Sequence, residues 1–178
     1  MRTLDFLFEL GQLKRVKRSG WWVAKVPNPE SVAEHSFRAA VIAFVIAEGE
    51  GKGNAGDYAV AALLHDSCET RLGDRHKISQ RYLRKGNSEK KARKDQLEAL
   101  PKQLRASISG LPDDDIVRDA DLLECAVQAK EYFDCGYRDA KDWIQRAGRG
   151  LKTKTAKRLF SELKRADSGK WWRGLKAD

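Results

Sequence analysis

Ala61-Ala62-Leu63-Leu64-His65-Asp66 is an apolar run that stops in an imidazole and a carboxylate, with Glu69 three residues beyond. Ala55, Ala59, Ala62 and Leu63 recur at helical spacing, so the run reads as a helix lying close against a neighbour. One further turn places Asp66 on the same stripe, and Glu69 follows on the same side if the helix continues. Burying an unpaired carboxylate is costly. Either a cation neutralises Asp66, or the pair sits at a solvent-facing helix end with no special task.

Working outward, Ser31-Val32-Ala33-Glu34 has the hydroxyl and carboxylate spacing of a capping box and opens a second helix. Ala33, Phe37, Ala40, Val41, Phe44 and Val45 form its apolar stripe, expected to face the core and to end near Glu48-Gly49. His35 lies in the first turn with Ala39 and Ile42 on its side, which predicts an inward imidazole, as a satisfied core residue or as a ligand. Further on, Leu111-Pro112 followed by Asp113-Asp114-Asp115 starts a long helix, since acids favour the positive helix pole. Its stripe is Ile116, Val117, Ala120, Leu123 and Val127, it reaches about Phe133, and Gly136 closes it. Asp121 falls inside that stripe and again asks for a partner.

Residues 4 to 16 predict an amphipathic first helix through Leu4, Phe6, Leu7, Leu10, Leu13 and Val16. Residues 17 to 30 read as an irregular connection holding Arg18, Trp21 and Trp22. There the two Trp cap the core while Arg18 faces water, or Arg18 grips a phosphate beside a stacking ring. Residues 75 to 95 are strongly basic and expected to be mostly a solvated face, with His76 on the surface. Gly86-Asn87-Ser88 starts a helix expected to run to about Leu104. Helices over roughly 139 to 148 and 153 to 166 follow, and the tail carries Trp171-Trp172. With no repeat and no strand pattern, the prediction is an all-α bundle forming a single domain over residues 1–178.

The chain has 178 residues, 34% of them charged, and a formal net charge of +9. Its apolar stretches are shorter than the ~18 residues of a spanning helix, so no membrane partner and a cytoplasmic location are expected. Cys68, Cys125 and Cys135 form no CxxC pair and read as reduced thiols. The positive charge suits a nucleic-acid binder or a phosphate-handling enzyme, or for most of these residues simply a solvated surface, and nucleic acid is not expected as a partner.

Two imidazoles and two carboxylates at inward helix positions, His35, His65, Asp66 and Asp121, suit a divalent ion. Mixed N and O donors fit Mn²⁺, Co²⁺, Fe²⁺ or Zn²⁺, whereas Mg²⁺ prefers oxygen alone. A bound water there would ionise near neutral pH, with Glu69 placed to handle its proton.

The order Glu34-His35, His65-Asp66 with Glu69, then Asp121 resembles the signature of the HD-domain metal-dependent phosphohydrolases. Leu13-Lys14-Arg15-Val16-x-Arg18-x-Gly20-Trp21, Pro29 to Ser36 and His65-Asp66-x-x-Glu69-x-x-x-Gly73-Asp74 are similar to the small 5′-deoxynucleotidase branch. The resemblance covers about residues 4 to 135, with the helices of 139–178 packing on or extending that unit. It implies one divalent ion per subunit held by His35, His65, Asp66 and Asp121, with Mn²⁺ or Co²⁺ commonly supporting activity. It also implies a homodimer and hydrolysis of (deoxy)ribonucleoside 5′-monophosphates to nucleoside and phosphate. Glu69 would position or deprotonate the attacking water, Arg18 would contact substrate, and Asp74 would lie near the sugar. After Asp74 the chain departs from relatives, with Arg75-His76 in place of an aliphatic residue and Pro. Two alternatives carry different expectations: a phosphodiester, triphosphate or guanosine tetraphosphate substrate at the same site, or a basic nucleic-acid binder with structural His and Asp.

Overall fold

The computed structural model describes residues 3–83 and 87–175, which are helical with no strand among them. In chain order the helices are α1 (Thr3–Leu10), α2 (Gly20–Val23), α3 (Val32–Gly49), α4 (Ala55–Leu64), α5 (Glu69–Leu72) and α6 (Lys77–Tyr82). They continue with α7 (Ser88–Glu98), α8 (Lys102–Ser109), α9 (Asp115–Asp134), α10 (Lys141–Gly150) and α11 (Lys154–Leu163). The two long helices, α3 and α9, pack against each other and both against α4. Helices α10 and α11 also pack on α9, and α11 reaches α3 and joins the same core.

The core between α3, α4 and α9 is built mostly from alanines, Ala43, Ala47, Ala61, Ala62 and Ala120, together with Ile46 and Leu123. Alanine faces let helix axes approach closely, and that approach brings the polar residues on the same faces within reach of one another. The inward face of α3 differs from the expected one. Val32, His35, Ser36, Ala39, Ala43, Ile46 and Ala47 are buried, whereas Phe37 is 69% exposed, Val41 50%, Phe44 45% and Val45 43%. Apolar residues surround most of α3, so periodicity alone admits two faces. The face with small residues is the one that fits the alanines of α4 and α9. For the same reason Leu63 of α4 points outward; on α1 it is Phe6 that is buried, and Leu4 and Leu7 are exposed.

The first helix is shorter than predicted: α1 gives way to a 3₁₀ turn over Gly11–Lys14. The connection from 17 to 30 is less irregular than expected, since it contains α2 and a β-bridge between Lys17 and Ser31. The helix expected to reach Leu104 is broken at Pro101, which cannot donate a backbone hydrogen bond; α7 ends at Glu98 and α8 starts afresh. Arg84, Lys85 and Gly86, part of the predicted basic run and helix start, lie outside the described residues. Asp119 of α9, fully buried, accepts hydrogen bonds from the backbone N–H of Lys152 and Thr153 and from the Thr153 hydroxyl. That anchors the start of α11 on α9. At the C-terminal end Trp171 is exposed, and the Arg173 guanidinium lies 5.8 Å from the Trp172 ring centroid.

Candidate metal centre

The capping box is formed as the sequence predicts: Glu34 N–H donates to Ser31 Oγ at 3.2 Å, and Ser31 N–H to Glu34 Oε2 at 2.6 Å. It fixes the first turn of α3 and therefore His35, which is fully buried against α9. His65 stands where α4 ends, and its Nδ1–H donates to the Ala62 carbonyl at 2.6 Å. That carbonyl accepts through the side chain at the helix terminus, where carbonyls lack intrahelical partners. Asp66 is the next residue, and Asp121 projects from the second turn of α9.

These four side chains meet. Asp66 Oδ2 lies 3.1 Å from His65 Nε2 and 3.8 Å from His35 Nε2. Asp121 Oδ1 lies 3.3 Å from His35 Nε2 and 3.8 Å from His65 Nε2. Neither Nε2 has a hydrogen-bond partner although both are buried. Because each Nδ1 donates elsewhere, each neutral ring turns a lone pair toward two carboxylate oxygens. Such a convergence of lone pairs is repulsive unless a cation sits among them. Donors about 2.0–2.2 Å from one ion sit about 3 Å apart when adjacent and about 4 Å when opposite, which brackets the separations of 3.1–3.8 Å. One donor atom from each of His35, His65 and Asp121 lies within 4.8 Å of the others. The donor set and its orphaned nitrogens therefore fit a divalent ion.

The electrostatics agree. Burial works against ionising Asp121, but the two facing imidazoles overcome it and hold the carboxyl well below its usual range. Burial likewise disfavours the His65 cation, yet Asp66 and Asp121 raise its proton affinity well above the usual value. Cys125 is no competing nucleophile, because burial pushes its thiol up to about 12.

Around the four lie the other predicted residues. Arg18 does not face water. Its Nη1 lies 3.3 Å from Asp66 Oδ2 and 3.7 Å from Asp74 Oδ1, and its Nη2 3.8 Å from Asp121 Oδ1. Asp74 follows Gly73, whose φ of +69° is the left-handed turn that sends the chain back toward the Arg18 loop. There Asp74 Oδ2 accepts from Ser19 N–H at 2.5 Å and Ser19 Oγ at 2.6 Å. His76 is partly buried rather than on the surface: its N–H donates to Ser19 Oγ and its Nδ1 accepts from Ser79 N–H. Glu69 opens α5 after a turn, and its buried Oε2 has no hydrogen-bond partner. Burial first, then the charges of Asp66 and Asp74, push its carboxyl up to about 8.

Trp21 is 2% exposed, wedged against Tyr132 and Trp143, with Nε1 donating to Glu30 Oε1. It is a core ring and not a free stacking surface, whereas Trp22 is exposed and caps nothing. Three residues beside the cluster escaped the sequence reading: Glu124, Arg38 and Ser19. Glu124 was detectable, because it lies one turn past Ala120 on the inward stripe of α9. Arg38 and Ser19 carry no such periodic signal.

A family model for the HD domain matches residues 10–164, reaching beyond residue 135 into α11. The human 5′-deoxynucleotidase HDDC2 is 33% identical over 150 residues, 78% of this chain and 72% of that protein. The 5′-deoxynucleotidase YfbR of Salmonella arizonae is 27% identical over 162 residues, 79% of each chain. A crystal structure described as genomics APC5600 superposes with a TM-score of 0.81 at 38% identity, covering 96% of this chain and 98% of that one.

Proposed function

Since this chain belongs to the HD-domain family, we propose that it is a divalent-metal-dependent phosphomonoesterase. Its substrates on this reading are (deoxy)ribonucleoside 5′-monophosphates, which it cleaves to nucleoside and phosphate. The observation that carries the proposal is the pair of buried, unpartnered Nε2 atoms of His35 and His65 facing Asp66 and Asp121. Those four residues would hold the ion, and the relatives named as 5′-deoxynucleotidases suggest the substrate class. When bound, the ion supplies Lewis acidity and a water of lowered pKa.

The protein's own residues divide the remaining work. Arg18 keeps its charge at every relevant pH, because Asp121 and Asp66 outweigh the effect of burial on its guanidinium. It presents fixed N–H donors to a phosphate entering beside Asp66. Asp74 holds the Arg18 loop by its two bonds to Ser19 while its Oδ1 faces Arg18, a placement suited to reading the sugar edge of a nucleotide. Glu69, with one oxygen free of partners, takes the proton of the attacking water. A carboxyl pushed up to about 8 is a better proton acceptor than an ordinary one, and a neighbouring cation favours the ionised form needed for that step.

Two coarser features complete the proposal. The exposed Phe37, Val41, Phe44 and Val45 make a continuous apolar face on α3, suited to pairing two copies as a homodimer. Among the described residues no helix is long and apolar enough to cross a membrane, which accords with the proposed cytoplasmic location. The test is metal analysis of the purified protein, then phosphate release from ribo- and deoxyribonucleotides with Mn²⁺, Co²⁺ and Mg²⁺. Free phosphate from monophosphates is expected. Pyrophosphate from a triphosphate would move the substrate class, and release from no nucleotide with any metal would overturn the proposal.

A further inference from the structure

Behind His35, on the side away from the cluster, α9 carries a carboxylate to which the reaction assigns nothing. Glu124 lies one turn beyond Asp121 and is fully buried. Its Oε2 accepts the Nδ1–H of His35. Its Oε1 accepts from Arg38 Nε at 3.0 Å. The two other guanidinium nitrogens of Arg38 reach Gln128 Oε1 at 2.6 Å and Glu131 Oε1 at 2.8 Å. The arrangement is a zipper between two helices: α3 supplies His35 and Arg38, one turn apart, and α9 supplies Asp121, Glu124, Gln128 and Glu131 along one face.

Glu30 also approaches, and the donor atoms of Glu30, His35 and Glu124 lie within 4.8 Å of one another. A second ion is not what this group is built for. Both Glu124 oxygens already accept N–H donors, and Glu30 Oε1 accepts from Trp21 Nε1. An ion there would displace the proton that His35 Nδ1 donates to Glu124 Oε2, and His35 would have to ligate through both nitrogens at once.

We propose that Glu124, itself clamped by Arg38, is the positioning residue that fixes the tautomer and ring orientation of His35. With the proton held on Nδ1, the Nε2 lone pair is aimed at the cluster before any ion arrives. An imidazole with a carboxylate on its second nitrogen is also a more basic ligand, and loss of such partners weakens metal binding by about 10- to 100-fold. His65 has only the neutral Ala62 carbonyl behind it, so the two imidazoles are unequal and His35 is the stronger donor.

The inference rests on the proposed metal centre, and the experiment separates the two. Chelator-stripped protein is titrated with Co²⁺, following heat of binding and the visible absorption of the ion. Glu124→Gln keeps the shape and removes the charge. It is expected to raise the Kd 10- to 100-fold and to alter the Co²⁺ spectrum, while Glu124→Asp recovers part of the affinity. A folded Glu124→Gln protein with wild-type Kd and spectrum would overturn the inference. Wild-type protein that binds no Co²⁺ would instead overturn the metal centre itself. If Glu124→Gln fails to fold by circular dichroism, Arg38→Met decides, since that side chain is partly exposed. Several-fold weaker binding at unchanged helix content is expected there, and unchanged binding overturns the clamp.

Discussion

Arg18 and Asp66 form an ion pair of 3.3 Å between residues 48 positions apart, with the Arg18 side chain only 16% exposed. The loop that would meet substrate is therefore locked to the residue that would meet metal. Arg18→Gln removes a charge-assisted contact worth about 1.5–3 kcal/mol, roughly 10- to 100-fold. The expected result in steady-state kinetics is a KM higher by that factor with a smaller change in kcat. An unaltered KM would remove Arg18 from the substrate site.

Glu69 offers a cleaner division between holding an ion and using it. Glu69→Gln preserves volume and leaves His35, His65, Asp66 and Asp121 in place, so metal content should stay at the wild-type level. Turnover should fall by about 10²–10⁴, the range for loss of a general base. Metal analysis and kcat on one preparation check both halves, and full activity would exclude the assigned proton transfer.

Acid sensitivity should have a source outside the centre. Glu9 of α1 accepts from Arg71 Nε at 2.6 Å and Nη2 at 2.9 Å, from Gln96 Nε2 at 2.7 Å and from Thr70 Oγ1 at 3.0 Å. The Arg71 bond first, then those from Gln96 and Thr70, outweigh partial burial and hold its carboxyl at about 2 against an ordinary 4.5. A depressed folded value means stabilisation that is complete above about pH 4.5 and lost as the pH falls toward 2. Glu9→Gln should lower stability by about 1–3 kcal/mol at pH 7 and flatten the Tm curve between those two pH values. An acid limb as steep as that of the wild type would show that other carboxylates set it.

Phe44 tests the open face of α3. Phe44→Glu places a charge at the middle of the apolar strip while changing the monomer's own stability by only about 0.5 kcal/mol, the usual range for surface positions. Light scattering after size exclusion should report a dimer for the wild type and a monomer for the variant. A monomeric wild type would leave that strip without the proposed role.

The helices α3, α4 and α9 and the inward residues they carry were legible in the sequence because they obey short-range rules. A capping box, a proline before acids and an apolar run ending in His65-Asp66 need only local spacing. The inward face of α3 was misread because Phe37, Val41, Phe44 and Val45 are as periodic as Ala39, Ala43 and Ile46, and only the partner helices choose between them. Trp21 was open to two readings for a related reason: a ring beside a loop arginine can pack or stack, and its contacts with Tyr132 and Trp143 decide. Contacts such as Ser19 with Asp74 or Arg38 with Glu124 join distant positions of ordinary polar type, so nothing nearby in the chain announces them.

The bond from His65 Nδ1 to the Ala62 carbonyl has a consequence for how this chain tolerates changes of length. It exists because α4 stops there; one more residue of regular helix would claim that carbonyl for the backbone and turn the imidazole loose. A single insertion between Ala62 and His65 would swing His65, Asp66 and all that follows by about 100° around the α4 axis, away from His35 and Asp121, and one between Asp66 and Glu69 would part the proton acceptor from the ligands. Deletions and insertions should be absent from that eight-residue window and admissible in the turn from Gly51 to Asn54, whose residues are exposed and hold no part of the centre.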